Sequence, residues 1–208
     1  MWTGIALTAA ALTVVLVAEA GGHRRVEWVA KPLASTGFLL AAWSNGALAT
    51  NYGRGILAGL ALSFLGDVLL IPKTRGTFLA GLGAFLLGHV GFAVAFLLRG
   101  ASFTIGIAGA ALLAIPASVV GRWLWPHVSR EMRGPVLAYI VVISAMVALA
   151  LGTLAQVGGV MILVGAVMFY LSDLSVARDR FVAPGFANRL WGLPLYYAAQ
   201  HVLASTVR

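Results

Sequence analysis

Asp67, in the run ALSFLGDVLLIP, and Asp173, in VMFYLSDLSVA, are each embedded in an apolar stretch of membrane-spanning length, in a chain with only six acidic residues. A carboxylate at that depth costs about 2.5 to 3.5 kcal/mol on insertion scales unless it meets a partner or water, so its default reading is a functional site. Two such groups can divide acid–base work, one delivering a proton while the other carries negative charge or activates a water. The structural alternative is that each pairs with Lys31 or a loop arginine near the interface, where burial costs less.

The remaining candidates surround this pair. Lys31 either snorkels to headgroups or binds a phosphate, and one side chain can do both. Glu19 reads as a helix-end residue near Arg24 and Arg25. His89, with Phe85, Phe92 and Phe96 on neighbouring turns, is either an interhelical hydrogen-bonding residue or a proton relay, and His201 has a weaker case. Tyr197 and Gln200 share a helix face at i, i+3, placed either to orient a water or to glue helices together. Ser63 lies one turn before Asp67 and Ser172 adjoins Asp173, but a serine nucleophile needs a histidine base, and none is close in sequence. With no cysteine there is no thiolate nucleophile, disulfide or thiolate metal site. His23 and His127 fall in loops, which leaves too few histidines in the membrane for a zinc site, so neither a metal nor another cofactor is expected.

The elements that must position these groups follow from composition. At 61% hydrophobic and 10% charged, with mean hydropathy +0.98, the chain reads as an all-α polytopic membrane protein with one domain, 1–208. Eight apolar segments, 2–20, 29–45, 54–71, 77–98, 102–120, 134–152, 157–177 and 187–206, are each near the ~20 residues of a spanning helix. The second is the shortest of them. Ala18-Glu19-Ala20 mimics a signal-peptidase site, but no Lys or Arg precedes it, so the first segment is expected to be retained. The glycines, including Gly81, Gly83 and Gly88, are expected to let helices approach closely, and Trp123, Trp125 and Trp191 to anchor an interface.

Charge distribution gives the orientation. Arg24, Arg25, Lys31, Lys73, Arg75, Arg122, Arg130, Arg133, Arg178, Arg180 and Arg189 fall on one face, against Arg54, Arg99 and Arg208 on the other. The positive-inside rule makes the first face cytoplasmic and puts both termini outside. The spread of basic residues through short loops argues against nucleic acid despite the net charge of +8. In this topology Asp67 lies about five residues, ~7 Å, below the cytoplasmic end of its helix, and Asp173 lies similarly above Arg178. Both carboxylates therefore share one layer, with His89 and His201 deeper. Lys31-Pro32, Leu65-Gly66-Asp67 and His89-Val90 are echoed in order by Gly134-Pro135, Leu171-Ser172-Asp173 and His201-Val202. Two parallel four-helix repeats would produce this echo, and so would coincidence between short motifs.

Lys31-Pro32-Leu33, Gly66-Asp67-Val68-Leu69-Leu70, Phe78, the run Gly81 to Val90, Ser172-Asp173 with Ala177 and Phe181, and Tyr196-Tyr197-Ala198-Ala199-Gln200 occur in this order over nearly the whole chain. Together they resemble the YhhN-like lysoplasmalogenase family. The resemblance implies an eight-helix membrane hydrolase that cleaves the vinyl ether of lysoplasmalogens, releasing a fatty aldehyde and glycerophosphoethanolamine or glycerophosphocholine. Its partners would be a lysophospholipid substrate and the bilayer, and its setting the bacterial inner membrane. Phe92 departs from the tyrosine that the family pattern places three residues after the histidine.

A vinyl ether resists bases and nucleophiles but hydrolyses once an acid protonates its β-carbon, giving an oxocarbenium ion that water captures. Glycosidase carboxylate pairs meet a similar transition state, an analogy of chemistry and not of fold. The sequence leaves open which aspartate is the acid; the reading leans to Asp173 as acid and Asp67 as water activator or cation stabiliser, with Lys31, His89, Ser172, Tyr197 and Gln200 in support. The competing reading is a proton-coupled small-molecule or lipid transporter that uses the same acids as relays, which requires a path to the outer face.

Overall fold

Apolar runs broken by short polar joints fold as helices, because in hydrocarbon every backbone N–H and C=O must be satisfied within its own segment. The computed structural model describes residues 1–72 and 74–208, so Lys73, counted above with the basic face, lies outside the described residues. Among the described residues there are eight α-helices and no strand: α1 Trp2–Ala20, α2 Arg24–Ser44, α3 Asn51–Leu70, α4 Arg75–Leu98, α5 Phe103–Leu124, α6 Arg130–Gly152, α7 Gly159–Ala177 and α8 Phe186–Ser205. Thr50, Thr74 and Ser102 cap α3, α4 and α5 by accepting from the backbone amides of Gly53, Thr77 and Ile105. Gly46 and Gly100, in the turns after α2 and α4, take φ of +86° and +93°, a conformation that side chains with a Cβ resist.

Hydropathy located the helices but not all of their ends. The segment expected at 29–45 is a 21-residue helix starting at Arg24, not the shortest of the eight, and α6 begins at Arg130 rather than at 134. Backbone hydrogen bonding continues through interfacial charges that end an apolar run. Six helices, α1 and α3 to α7, are long and apolar enough to cross a membrane. The two that are not, α2 and α8, carry Arg24, Arg25, Glu27 and Lys31, and Asn188, Arg189, Gln200 and His201.

Neither of these two helices is enclosed: α2 exposes Trp28, Val29, Leu33, Leu40 and Trp43, and α8 exposes Leu190 and Trp191. Sequential helices pair as hairpins (α1 with α2, α3 with α4, α5 with α6, α7 with α8), while α2 also packs on α3 and α8, and α6 on α4 and α7. Placing the polar helices against each other hides Glu27, Lys31, Ser35, Asn188 and Gln200 from lipid, whereas α5 buries little more than Gly106, Gly109 and Leu124. Phe38, Phe92, Phe96, Phe169 and Tyr197 are fully enclosed in the main core.

The ends of the bundle differ in charge. The Met1 amine donates to Ser44 Oγ and Arg208 reaches Asn45, so the termini share one end. Arg99 joins that end by stacking on Tyr52, whose hydroxyl is 2.6 Å from Thr206. At the opposite end Arg24 donates to the Pro72 carbonyl, Arg75 pairs with Glu131, Arg133 covers Trp125, and Arg180 covers Phe78. A π-helical turn, Arg178–Val182, follows α7 there.

Candidate active site

Asp67 leaves α3 beside Gly66, and both are buried. Gly66 is required by packing, since a Cβ there would sit 2.6 Å from the ring of Phe85. The Asp67 carboxylate accepts two hydrogen bonds on one oxygen, Oδ2: from Ser35 Oγ on α2 at 2.6 Å and from Tyr196 OH on α8 at 2.8 Å. Lys31, one turn before Ser35 on α2, is close enough for its charge to act on this carboxylate. Bonds of this kind to a charged acceptor contribute about 1.5 to 3 kcal/mol each and offset much of the burial cost.

Asp173, on α7, is the more open of the two, with a side chain 16% exposed. Its Oδ2 accepts from Tyr139 OH on α6 at 2.7 Å, and His89 Nε2 on α4 stands 3.5 Å away. The histidine ring is fully enclosed, 4.4 Å from the Phe169 ring centroid and 5.3 Å from that of Tyr139. The charge of Asp67 acts on Asp173 across the space between α3 and α7.

That space is a cavity of about 380 Å³ lined by both aspartates, Lys31, Tyr139 and Tyr196. One wall, from α1, α2, the π-turn and α8, is polar and includes Glu19, Glu27, Arg180 and Arg189. The lining from α4, α5 and α6 is mostly apolar, with Leu82 of α4, Leu124 of α5, and Val136 and Ile140 of α6. Arg189 ties the polar wall together by reaching Glu19 at 3.0 Å and Asp179 at 3.3 Å. Asp179 also accepts from the Gly185 amide and from Asn188. Lys31 is buried and lines the cavity, yet its ammonium makes no hydrogen bond or ion pair among the described residues. The arrangement can place an elongated amphiphile with its polar end beside Lys31 and an apolar chain along α4, α5 and α6.

The structure brings some expected residues together and sets others apart. Asp67, Asp173, Lys31 and Ser172 line the cavity, and His89 touches it through Asp173. The Ser172 hydroxyl donates to the Phe169 carbonyl of its own helix, which turns it from Asp173. Tyr197 and Gln200 do not line the cavity: Tyr197 OH is 3.3 Å from Ser35 Oγ, and the enclosed Gln200 amide has no hydrogen-bond partner among the described residues. His201 lies at Thr8, 2.8 Å from its Oγ1, and Glu19 pairs with Arg189 of α8. Gly81 and Gly88 are close-approach positions, but Gly83 faces open space. Phe92 packs over Gly59 in the apolar core, where a hydroxyl would need a partner.

Ser35, Tyr139 and Tyr196 are the site residues that the sequence reading passed over as functional. Ser35 had a signal, standing four residues after Lys31 and hence on its face of the helix. Tyr139 is one of two hydroxyls, with Ser144, in an apolar segment. Tyr196 was adjacent to the tyrosine chosen, and a shift of one residue rotates a helix position by about 100°.

The YhhN family model matches residues 26–207. Lysoplasmalogenases of Mycobacterium bovis and Mycobacterium tuberculosis are each 35% identical to the chain over 97% of its length and 79% of theirs. Lysoplasmalogenase TMEM86A of Bos taurus is 30% identical over 80% of this chain and 70% of its own. No solved structure shows significant similarity.

Proposed function

The chain belongs to the YhhN family, and from that premise we propose that it is an integral membrane hydrolase of lysoplasmalogens, cleaving their vinyl ether by a pair of aspartates. The observation that carries the chemistry is that Asp67 and Asp173, 106 residues apart in sequence, line one cavity with a polar wall and a mostly apolar one. The relatives named lysoplasmalogenase support the substrate class. All eight helices cross the plasma membrane in this reading, with α2 and α8 packed on each other and their exposed faces apolar. The basic end, where the polar wall lies, faces the cytoplasm, and both termini lie outside.

The substrate enters with its phosphate toward Lys31 and its single alkenyl chain along the apolar wall, which sets the vinyl ether between the carboxyls. Protonated Asp173 gives its proton to the β-carbon. The C=C π pair forms the new C–H bond, and the ether oxygen stabilises the positive charge left on the α-carbon. Asp67, held by Ser35 and Tyr196 with Lys31 close by, stays anionic, stabilises this oxocarbenium ion and accepts a proton from the water that adds to it. The resulting hemiacetal breaks its bond to the glycerol oxygen, which leaves protonated, and its own hydroxyl becomes the aldehyde carbonyl. One water is consumed, and the proton on Asp67 returns to Asp173 through solvent in the cavity.

The test is to incubate the purified protein with lysoplasmalogen and with the matching saturated-ether and ester lysolipids, following aldehyde. Release is expected from the vinyl ether alone. Asp67→Asn and Asp173→Asn should each lower it at least about 100-fold, the low end for a lost general acid or base, with the fold intact. No aldehyde from the vinyl ether at any pH would sink the assignment, and retained activity in either variant would remove that aspartate from the mechanism.

A further inference from the structure

The two carboxylates are surrounded in the same pattern, although Asp67 accepts two hydrogen bonds and Asp173 one, from Tyr139, with His89 Nε2 at 3.5 Å and not hydrogen-bonded. Taking α1–α4 and α5–α8 as halves, each aspartate sits on the third helix of its half. Each receives a hydroxyl from the second helix of its own half: Ser35 for Asp67, 32 residues earlier, and Tyr139 for Asp173, 34 residues earlier. Each is then met by a side chain from the fourth helix of the other half, Tyr196 for Asp67 and His89 for Asp173. His89 follows Asp67 by 22 residues and Tyr196 follows Asp173 by 23. Pro32 and Pro135 stand within one turn before Ser35 and Tyr139. Helix packing exchanges in the same way, with α2 on α3 and α8 answered by α6 on α7 and α4.

We infer that Ser35 with Tyr196, and Tyr139 with His89, are positioning residues forming two exchanged clamps, so that each catalytic carboxylate is oriented by both halves of the chain. The inference rests on the vinyl ether hydrolase reading and deepens it. A buried carboxylate without donors would turn toward Lys31 or solvent, and the reacting carbon would lose its acid or its counter-charge. The exchange also revises the internal echo, since the counterpart of His89 is Tyr196 and not His201, which binds Thr8. The clamps differ in chemistry, two hydroxyls on Asp67 against a hydroxyl and an imidazole on Asp173, and this difference lets equivalent positions take opposite roles.

The test compares steady-state aldehyde release by Ser35→Ala, Tyr196→Phe, Tyr139→Phe and His89→Phe in detergent, with thermal unfolding recorded for each. Each should lose ten- to a hundredfold in kcat with KM within about threefold of the parent, the pattern of a group acting in the transition state. Ser35→Thr and His89→Gln, which keep a donor, should recover most of the lost rate, and they keep the test readable where a deletion does not fold. Ser35→Ala with Tyr196→Phe should be less than multiplicative because both act on Asp67, whereas Ser35→Ala with Tyr139→Phe should multiply. Unchanged kcat, no recovery by Ser35→Thr, or the opposite pattern of coupling overturns the clamps. An inactive parent protein overturns the hydrolase reading and the clamps with it, while an active parent with silent variants overturns the clamps alone.

Discussion

A lysine that lines a cavity, with a mostly buried side chain and an ammonium that makes no hydrogen bond among the described residues, can take an anion that enters that cavity. Lys31 is that residue, and in the proposed enzyme the anion is the lysolipid phosphate. Lys31→Met keeps the apolar stem and removes the charge. It should raise KM for lysoplasmalogen about tenfold through loss of the phosphate contact, and should also lower kcat, since the Lys31 charge acts on Asp67. An unchanged KM would remove the phosphate contact. Arg189 is engaged differently, because Glu19 and Asp179 already occupy its guanidinium.

Helix contacts decide whether these side chains meet. Between α7 and α8, a Cβ on Gly192 would lie 1.8 Å from Ser175 Oγ and 2.5 Å from its Cβ. Gly192→Ala must push the helices apart or turn Ser175, at about 1 to 3 kcal/mol, and should lower the unfolding temperature in detergent and the activity together. Gly83→Ala is the control: nothing lies within 4 Å of its Cβ, and alanine is favoured over glycine in a helix by about 1 kcal/mol, so thermal stability should hold or rise. The glycine count could not separate these two positions, because which glycines face a neighbour depends on how the helices are rotated.

The whole molecule has a basic end, on which the polar wall of the cavity lies, and an end that holds both termini. Because the chain has no cysteine, its orientation is readable by single replacements. Val157→Cys, 85% exposed in the α6–α7 connection, should react with a membrane-impermeant maleimide on intact cells. Ser129→Cys, before α6, should react only after permeabilisation. The reverse pattern would invert the topology and place the polar wall of the cavity on the outer face.

Apolar runs of spanning length were enough to find eight helices, because the membrane forces each segment to satisfy its own backbone. The cost of a buried charge was enough to single out Asp67, Asp173 and Lys31, and the charge asymmetry of the loops grouped the residues of each end. Those are properties of segments, set by the solvent around them. Helix rotation and exchange between distant segments are not. They set Tyr196 against Asp67 and Tyr197 beside Ser35, sent His201 to Thr8 and Glu19 to Arg189, turned Ser172 onto its own backbone, and brought Ser35 and Tyr139 to the carboxylates. A hydrogen bond depends on angstrom-scale register between helices far apart in the chain, and packing alone sets that register.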